Sequence, residues 1–303
     1  MSLPSPTAPP AARHANLRGI AWMVLAMAAF AVEDVLVKQA ARAWPLAQVL
    51  VCFGLGGMAV FALAGGRSAR PLWHADVVSR PMRVRAVFEL TGRLFYALAI
   101  ALTPLSSATA ILQATPVLVV LGARLVFGEQ VGWRRWCAVV IGLLGVLVVL
   151  RPGSADFSWL SLLTVIGLVG FAGRDLASRA VPRTLDTRHL GFYGFATVVL
   201  AGALYAPLEG RPFVWPTPAL AGTLAAACAV GAGAYASLMK AMRTGDVSAV
   251  TPFRYSRLLF GVGLGVAVFG EPLTARMALG SAVILLAGGL IAWDGWRRHH
   301  AAR

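Results

Sequence analysis

The feature that most constrains this 303-residue chain is a run of ten apolar stretches, each near the ~20 residues a helix needs to cross roughly 30 Å of hydrocarbon. They lie at Gly19 to Val37, Ala47 to Gly65, Val84 to Leu102, Leu105 to Phe127, Trp133 to Leu150, Trp159 to Val181, Leu190 to Leu208, Ala219 to Met239, Ser248 to Gly270 and Ala275 to Trp293. In lipid every backbone polar group must find its partner inside its own segment, so these stretches are expected to be helices. The expected fold class is therefore all-α: a polytopic membrane protein of ten transmembrane helices. Composition agrees, with 58% hydrophobic and 13% charged residues and a mean hydropathy of +0.74. The net charge of +15 raises the question of nucleic acid, but Lys and Arg are spread over short connections rather than gathered on one face. The partners expected are a lipid bilayer and no nucleic acid.

The first five stretches resemble the last five. Phe30, Ala31, Asp34, Lys38 and Arg42 shifted by 141 give Phe171, Ala172, Asp175, Arg179 and Arg183. Ser106 and Phe127-Gly128-Glu129 shifted by 142 give Ser248 and Phe269-Gly270-Glu271. Five is odd, so the second copy enters the membrane with opposite polarity, giving two inverted five-helix repeats with a ligand site expected near the bilayer midplane between them. The expected divisions are a disordered cytoplasmic tail at 1–16, a first repeat at 17–153, a second at 154–296 and a basic tail at 297–303. The first apolar run lacks a clear small-residue cleavage site and is read as an uncleaved helix. With the N-terminus inside, seventeen Lys and Arg, Arg85 among them, fall on the cytoplasmic side. Five, namely Lys38, Arg42, Arg151, Arg211 and Arg276, fall outside, which places both termini in the cytoplasm.

Charges within the spans carry the functional signal, because each is costly in lipid unless paired or hydrated. Asp34 with Lys38, Glu89 with Arg93 and Asp175 with Arg179 are spaced i to i+4 and are expected to pair locally. With the Asp34 and Asp175 pairs set aside as structural, Glu33 and Glu89 face Arg93, Arg174, Arg254 and Arg257. This net positive interior favours a substrate with an anionic group, since a guanidinium fork matches carboxylate or phosphate. Arg93 and Arg257 lie nearest the centres of their spans, with Tyr96 one turn from Arg93. Gln113, Tyr235 and Tyr255 add amide and phenol groups suited to orienting a polar metabolite, with interhelical hydrogen bonding as the competing role. Glu33 and Arg174 occupy equivalent repeat positions but differ in depth by roughly 13 Å at 1.5 Å per residue, too far for a mutual salt bridge. The expected substrate-binding set is Glu33, Arg93, Tyr96, Gln113, Arg174, Tyr235, Arg254, Tyr255 and Arg257. Arg124 is expected to snorkel to headgroups, and Glu129 and Glu271 to orient loops. Pro116 and Pro252 are expected to interrupt their spans.

Cys52, Cys137 and Cys228 are widely spaced and read as packing residues, and all five histidines fall in loops or tails. Metal-ligand spacing, a nucleotide-binding loop and a Ser/His/Asp grouping are all missing, so neither cofactor, metal nor catalytic residue is expected. The chain resembles the EamA-type members of the drug/metabolite transporter superfamily over nearly all of residues 17 to 296. The residues carrying the resemblance are Ser107-Ala108-Thr109-Ala110 to Thr115-Pro116, Phe127-Gly128-Glu129 with Gly142 and Gly145, and Val250-Thr251-Pro252-Phe253 to Phe269-Gly270-Glu271. The resemblance implies an inner-membrane location, alternating access, and a central cavity lined by helices one, three, four, six, eight and nine. Arg254-Tyr255-Ser256-Arg257 departs from it, placing two arginines where many relatives are mostly apolar. The reading is a secondary transporter, exporter or exchanger, of a small polar metabolite with a carboxylate or other anionic group, such as an amino acid or zwitterion. Proton coupling through Glu33 or Glu89 stays open beside uncoupled movement. A passive channel is the alternative, and a membrane-embedded enzyme a more distant one.

Overall fold

The computed structural model describes residues 10–64, 71–128, 132–150, 158–182, 184–215, 217–244 and 250–301. Among these, all regular structure is helical: α1 (Pro10–Ala43), α2 (Leu46–Leu63), a 3₁₀ turn (Ala75–Val78), α3 (Arg80–Leu102), α4 (Leu105–Leu112), α5 (Thr115–Phe127), α6 (Trp133–Leu150), α7 (Ser161–Arg179), α8 (Thr187–Glu209), α9 (Pro218–Thr244), a second 3₁₀ turn (Thr251–Tyr255), α10 (Ser256–Phe269) and α11 (Ala275–Ala301). Helix begins at Pro10, so the expected disordered tail of 1–16 is helical from there. Among the described residues, six segments are long and apolar enough to cross a membrane, the α4–α5 rod among them. α3 is long enough at 23 residues, but Arg80, Arg83, Arg85, Glu89 and Arg93 dilute its hydropathy. Large apolar side chains such as Leu125, Leu259 and Leu286 face outward, as they do in a multi-pass membrane protein.

Long helices pack in four pairs: α1 along α9, α3 along α7, α2 along α8 and α6 along α11. Exchanging the two halves turns the α1/α9 pair into the α7/α3 pair and leaves the other two unchanged, so the duplication is a duplication of packing. In lipid, close backbone approach supplies the attraction that hydrophobic burial supplies in water. α3 and α7 meet where a Cβ on Gly170 would lie 2.4 Å from the Gly92 nitrogen. That crossing sets Glu89 and Arg93, on either side of Gly92, against Arg174, one turn beyond Gly170.

The α2/α8 pair is fixed by reciprocal caps. At one end the Glu209 carboxylate accepts from the free backbone N–H groups of Leu46 and Ala47, at 2.7 and 2.8 Å. At the other the Arg188 guanidinium donates to the terminal carbonyls of Phe61 and Ala62, both at 2.9 Å. Negative charge at a helix start and positive charge at a helix end both complement the macrodipole. His189, beside Arg188, is buried between Asp186 Oδ1 and the Pro71 carbonyl. Between the caps, Phe53, Phe61 and Phe195 pack ring on ring. All three cysteines are free thiols. Cys228 is buried against the Phe53 carbonyl, whereas Cys137 is exposed, so the packing role expected of all three does not extend to Cys137.

The fourth and ninth rods are broken at matching points. α4 stops at Leu112 and α5 resumes at Thr115, while the second 3₁₀ turn gives way to α10 at Tyr255–Ser256. Gln113 and Tyr255 are 142 residues apart, the repeat offset, although Pro116 and Pro252 themselves are not. Both rods end alike, with Gly128 and Gly270 at φ 66° and 64° in the left-handed region that favours glycine.

Candidate site in the helix bundle

The Phe-Gly-Glu ending of the second repeat builds one end of the site. Gly270 lets the chain reverse, with Gly270 N–H donating to the Val266 carbonyl and Glu271 N–H to that of Gly265. Glu271 is thereby turned onto the start of α4, where its carboxylate accepts from the N–H groups of Leu105 (2.6 Å) and Ser106 (2.9 Å) and from the Ser106 hydroxyl (2.6 Å). Lys38 joins it at 3.1 Å and also donates to the Thr103 carbonyl at 2.7 Å. Burial alone would raise the Glu271 pKa. The hydrogen bonds from Ser106 and Leu105 and the Lys38 ammonium outweigh it and hold the carboxyl below its ordinary 4.5. Glu271 thus orients a loop as expected; Glu129 lies outside the described residues.

Lys38 is consequently not the partner of Asp34. Asp34 Oδ2 instead accepts from Arg257 at 2.7 Å and from the Tyr96 hydroxyl at 3.0 Å. Spacing of i to i+4 makes two residues neighbours on one helix, but partners on other helices decide where long side chains go. Asp175, too, is bound by residues other than the one expected. Its Oδ1 accepts from Arg174 Nε and Nη2 at 3.0 and 2.8 Å, and the Arg254 guanidinium stands 3.7 Å from Oδ2. The Arg179 side chain lies outside what is described. Glu89 does pair with Arg93, at 3.5 Å, but also with Arg174 at 3.2 Å and Arg85 at 3.0 Å. Glu33 binds Arg93 at 3.2 Å. Glu33 and Arg174 do not touch; Arg93 and Glu89 stand between them.

The result is a chain of charges from α1 through α3 and α7 to the start of α10, joining the two halves. Arg257 lies over the Phe30 ring at 5.2 Å, and Arg174 over Phe171 at 4.9 Å, with Phe30 and Phe171 in equivalent repeat positions. A small cavity of about 20 Å³, room for about one water molecule, opens beside Glu33, Asp34, Phe53, Arg93, Tyr96 and Ala97. Glu33 is 3% exposed and its Oε2 has no hydrogen-bond partner. A larger cavity, about 260 Å³, lies by the Lys38–Glu271 end among the hydroxyls of Ser106, Ser107, Ser158, Ser161 and Thr274, apart from the chain of charges.

Of the expected site residues, the chain of charges takes in Glu33, Arg93, Tyr96, Arg174, Arg254 and Arg257. Gln113 attaches by donating to the Arg254 carbonyl at 3.1 Å. Tyr235 is half-buried with its ring edge-on to Phe61 at 5.4 Å. Tyr255 turns away, into an apolar cluster with Ile111, Leu168 and Ile284, against Gly288. Arg85, expected at the cytoplasmic surface, is 4% exposed and bonded to Glu89 and Ser178. Asp34 and Asp175, outside the expected substrate-binding set, belong to the same chain of charges, and the repeat match of Phe30 to Phe171 and Asp34 to Asp175 is the sequence signal that finds them. Among the described residues no group of His, Cys, Asp or Glu is arranged to hold a metal.

The EamA-like transporter family model matches residues 17–151 and again 158–293. The chain belongs to the EamA-like transporter family. It is 28% identical to a riboflavin transporter of Rhizobium johnstonii over 92% of each chain. It is 27% identical to the pseudopaline exporter CntI of Pseudomonas aeruginosa, covering 89% of this chain and 94% of that one. An S-adenosylmethionine uptake transporter of Rickettsia prowazekii is 22% identical over 84% and 85%. One crystal structure, 22% identical and covering 91% of this chain and 97% of its own, superposes with a TM-score of 0.61, a likeness of fold.

Proposed function

From membership of the EamA-like transporter family, we propose that this chain is a secondary transporter of a small polar metabolite bearing a carboxylate or other anionic group, such as an amino acid or zwitterion, working by alternating access. Ten helices cross the inner membrane as two inverted five-helix repeats with both termini in the cytoplasm. The relatives named above move small metabolites, one by uptake and one by export, so the family supports a metabolite substrate and leaves direction to this chain's own residues.

The observation that carries the reading is a gradient of exposure along the charges. At the Lys38–Glu271 end the two side chains are 7% and 9% exposed. At the other end Arg174, Asp175 and Arg254 are 20%, 23% and 31% exposed, around a buried Arg85–Glu89 pair at 4% and 3%. In the proposed topology this is a bundle sealed toward the outside and wetted from the cytoplasm, with Glu33, Asp34, Arg93, Tyr96 and Arg257 at the depth where a substrate is held. The lone oxygen of Glu33 is free for a substrate N–H or for a proton. Opening the outer side requires Glu271 to leave the start of α4, while the inner charges draw together.

The test is thermal-shift screening of purified protein against a metabolite panel, followed by counterflow of each hit in reconstituted vesicles. Saturable counterflow is expected; flux that neither saturates nor shows counterflow would make the protein a passive channel. Glu33→Gln is expected to impair counterflow without impairing expression, and unchanged flux in that variant would remove Glu33 from the site.

A further inference from the structure

The substrate's anionic group can be assigned to one side chain by following which guanidinium is left over. Among the described side chains, four carboxylates, Glu33, Asp34, Glu89 and Asp175, form one cluster with five guanidinium groups, Arg85, Arg93, Arg174, Arg254 and Arg257. Each acid has a close base: Asp34 with Arg257 at 2.7 Å, Asp175 with Arg174 at 2.8 Å, Glu89 with Arg85 at 3.0 Å and Glu33 with Arg93 at 3.2 Å. Arg254 remains. Among the described residues its nearest carboxylate oxygen is Asp175 Oδ2 at 3.7 Å, beyond hydrogen-bond reach. Its side chain is also the most exposed of the five, at 31% against 4–21% for the others.

Exposure alone would describe a surface arginine, but the backbone of Arg254 is fixed. It sits in the 3₁₀ turn ahead of α10, and its carbonyl accepts from the side chain of buried Gln113, at the break between α4 and α5. The fork is therefore held at the wet end of the charge chain with donors to spare. The charge count limits what it takes. One carboxylate takes up the spare donors of Arg254, whereas a phosphate dianion would bring a second negative charge next to Asp175.

Resting on the transporter reading above, we infer that Arg254 is the docking side chain for a single substrate carboxylate, and that Arg93, Arg174 and Arg257 are counter-ions of the protein's own acids. A substrate so held lies with its carboxylate toward the cytoplasmic half and the rest of the molecule toward Glu33.

The test uses phenylglyoxal, which modifies free guanidinium groups, on the purified full chain, with the modified peptides identified by mass spectrometry. The peptide holding Arg254 is expected to react several times faster than those holding Arg174 or Arg257. The probes are methionine against methioninol and S-adenosylmethionine against its decarboxylated form, with inorganic phosphate as a further anion. At least one carboxylate probe is expected to slow the modification of Arg254 while its carboxylate-free partner does not. Arg254→Gln is expected to weaken binding of that probe by about ten- to a hundredfold, and Arg254→Lys by less. The inference is overturned if Arg254 reacts no faster than Arg174, if no carboxylate probe protects it, or if phosphate protects it better than every carboxylate. Saturable counterflow together with any of these results would leave the transporter reading standing. Absence of counterflow for every compound would instead strike that reading.

Discussion

α1 and α7 carry the same residue pair at equivalent positions, Phe30 with Asp34 and Phe171 with Asp175, and use it differently. In the first half the guanidinium over the ring comes from the other half of the molecule: Arg257 spans to Asp34 at 2.7 Å, with Tyr96 alongside, and the acid is 6% exposed. In the second half the guanidinium is Arg174, the residue next to Asp175 on the same helix, and the acid is 23% exposed. The cause is in the sequence. Arg257 has no basic counterpart, since Thr115 and Pro116 stand at the matching positions. One copy of the motif therefore docks the two halves, while the other is held mainly by its own neighbour, with Arg254 a more distant partner at 3.7 Å.

The largest expected effect tests the docking copy. Arg257→Met leaves Asp34 buried without its counter-ion and is expected to cost about 3–5 kcal/mol in thermal unfolding of the detergent-solubilised protein. Adding Asp34→Asn should cost less than the sum of the single changes. Additivity would separate the two residues and dissolve the comparison. Next is Gly170→Ala, where α1 already has Ala29. A Cβ at Gly170 meets Gly92 backbone at 2.4–2.5 Å, so α3 and α7 must part at a cost of about 1–3 kcal/mol. Counterflow should fall with it, because Glu89 and Arg93 move away from Arg174.

Glu271→Gln is expected to cost about 1–2 kcal/mol as a lost helix cap. Its pH dependence has a definite sign. The folded carboxyl titrates below its ordinary 4.5, so its contribution is fully present above that value and is lost as the pH falls through the folded pKa. Melting temperatures should thus fall more steeply below about pH 4.5 in the wild type than in Glu271→Gln. Asp175→Asn, in the half-exposed copy, is expected to cost about 1 kcal/mol or less. A loss equal to that of Arg257→Met would show that both copies are structural.

The helices were legible in the sequence because span length and apolarity are local properties. α2, α6 and the α4–α5 rod fall within about two residues of their expected limits. The repeat was legible through Phe-Gly-Glu, and the left-handed glycines and the cap made by Glu271 give that motif its physical meaning. Ion-pair partners were not legible. Lys38 is one turn from Asp34, yet the free carbonyl of Thr103 and the Glu271 carboxylate lie within its reach only once α3, α4 and α10 are packed. Arg85 shows the same limit: its place at the edge of a span suggested headgroups, and the approach of α7 at Gly92 and Gly170 buries it. Depth along a helix, by contrast, was readable, which is why Glu33 and Arg174 were expected apart and are found apart.

The most direct measurement is the accessibility of a cysteine at Ala97, beside the central cavity, in a chain whose Cys52, Cys137 and Cys228 are replaced. It is labelled with a small charged methanethiosulfonate from either face of oriented membrane vesicles. Reaction is expected from the cytoplasmic face alone, with Glu271→Gln adding reaction from the outer face. Equal reaction from both faces without that change, or reaction from the outer face alone, would contradict a bundle closed by Lys38 and Glu271.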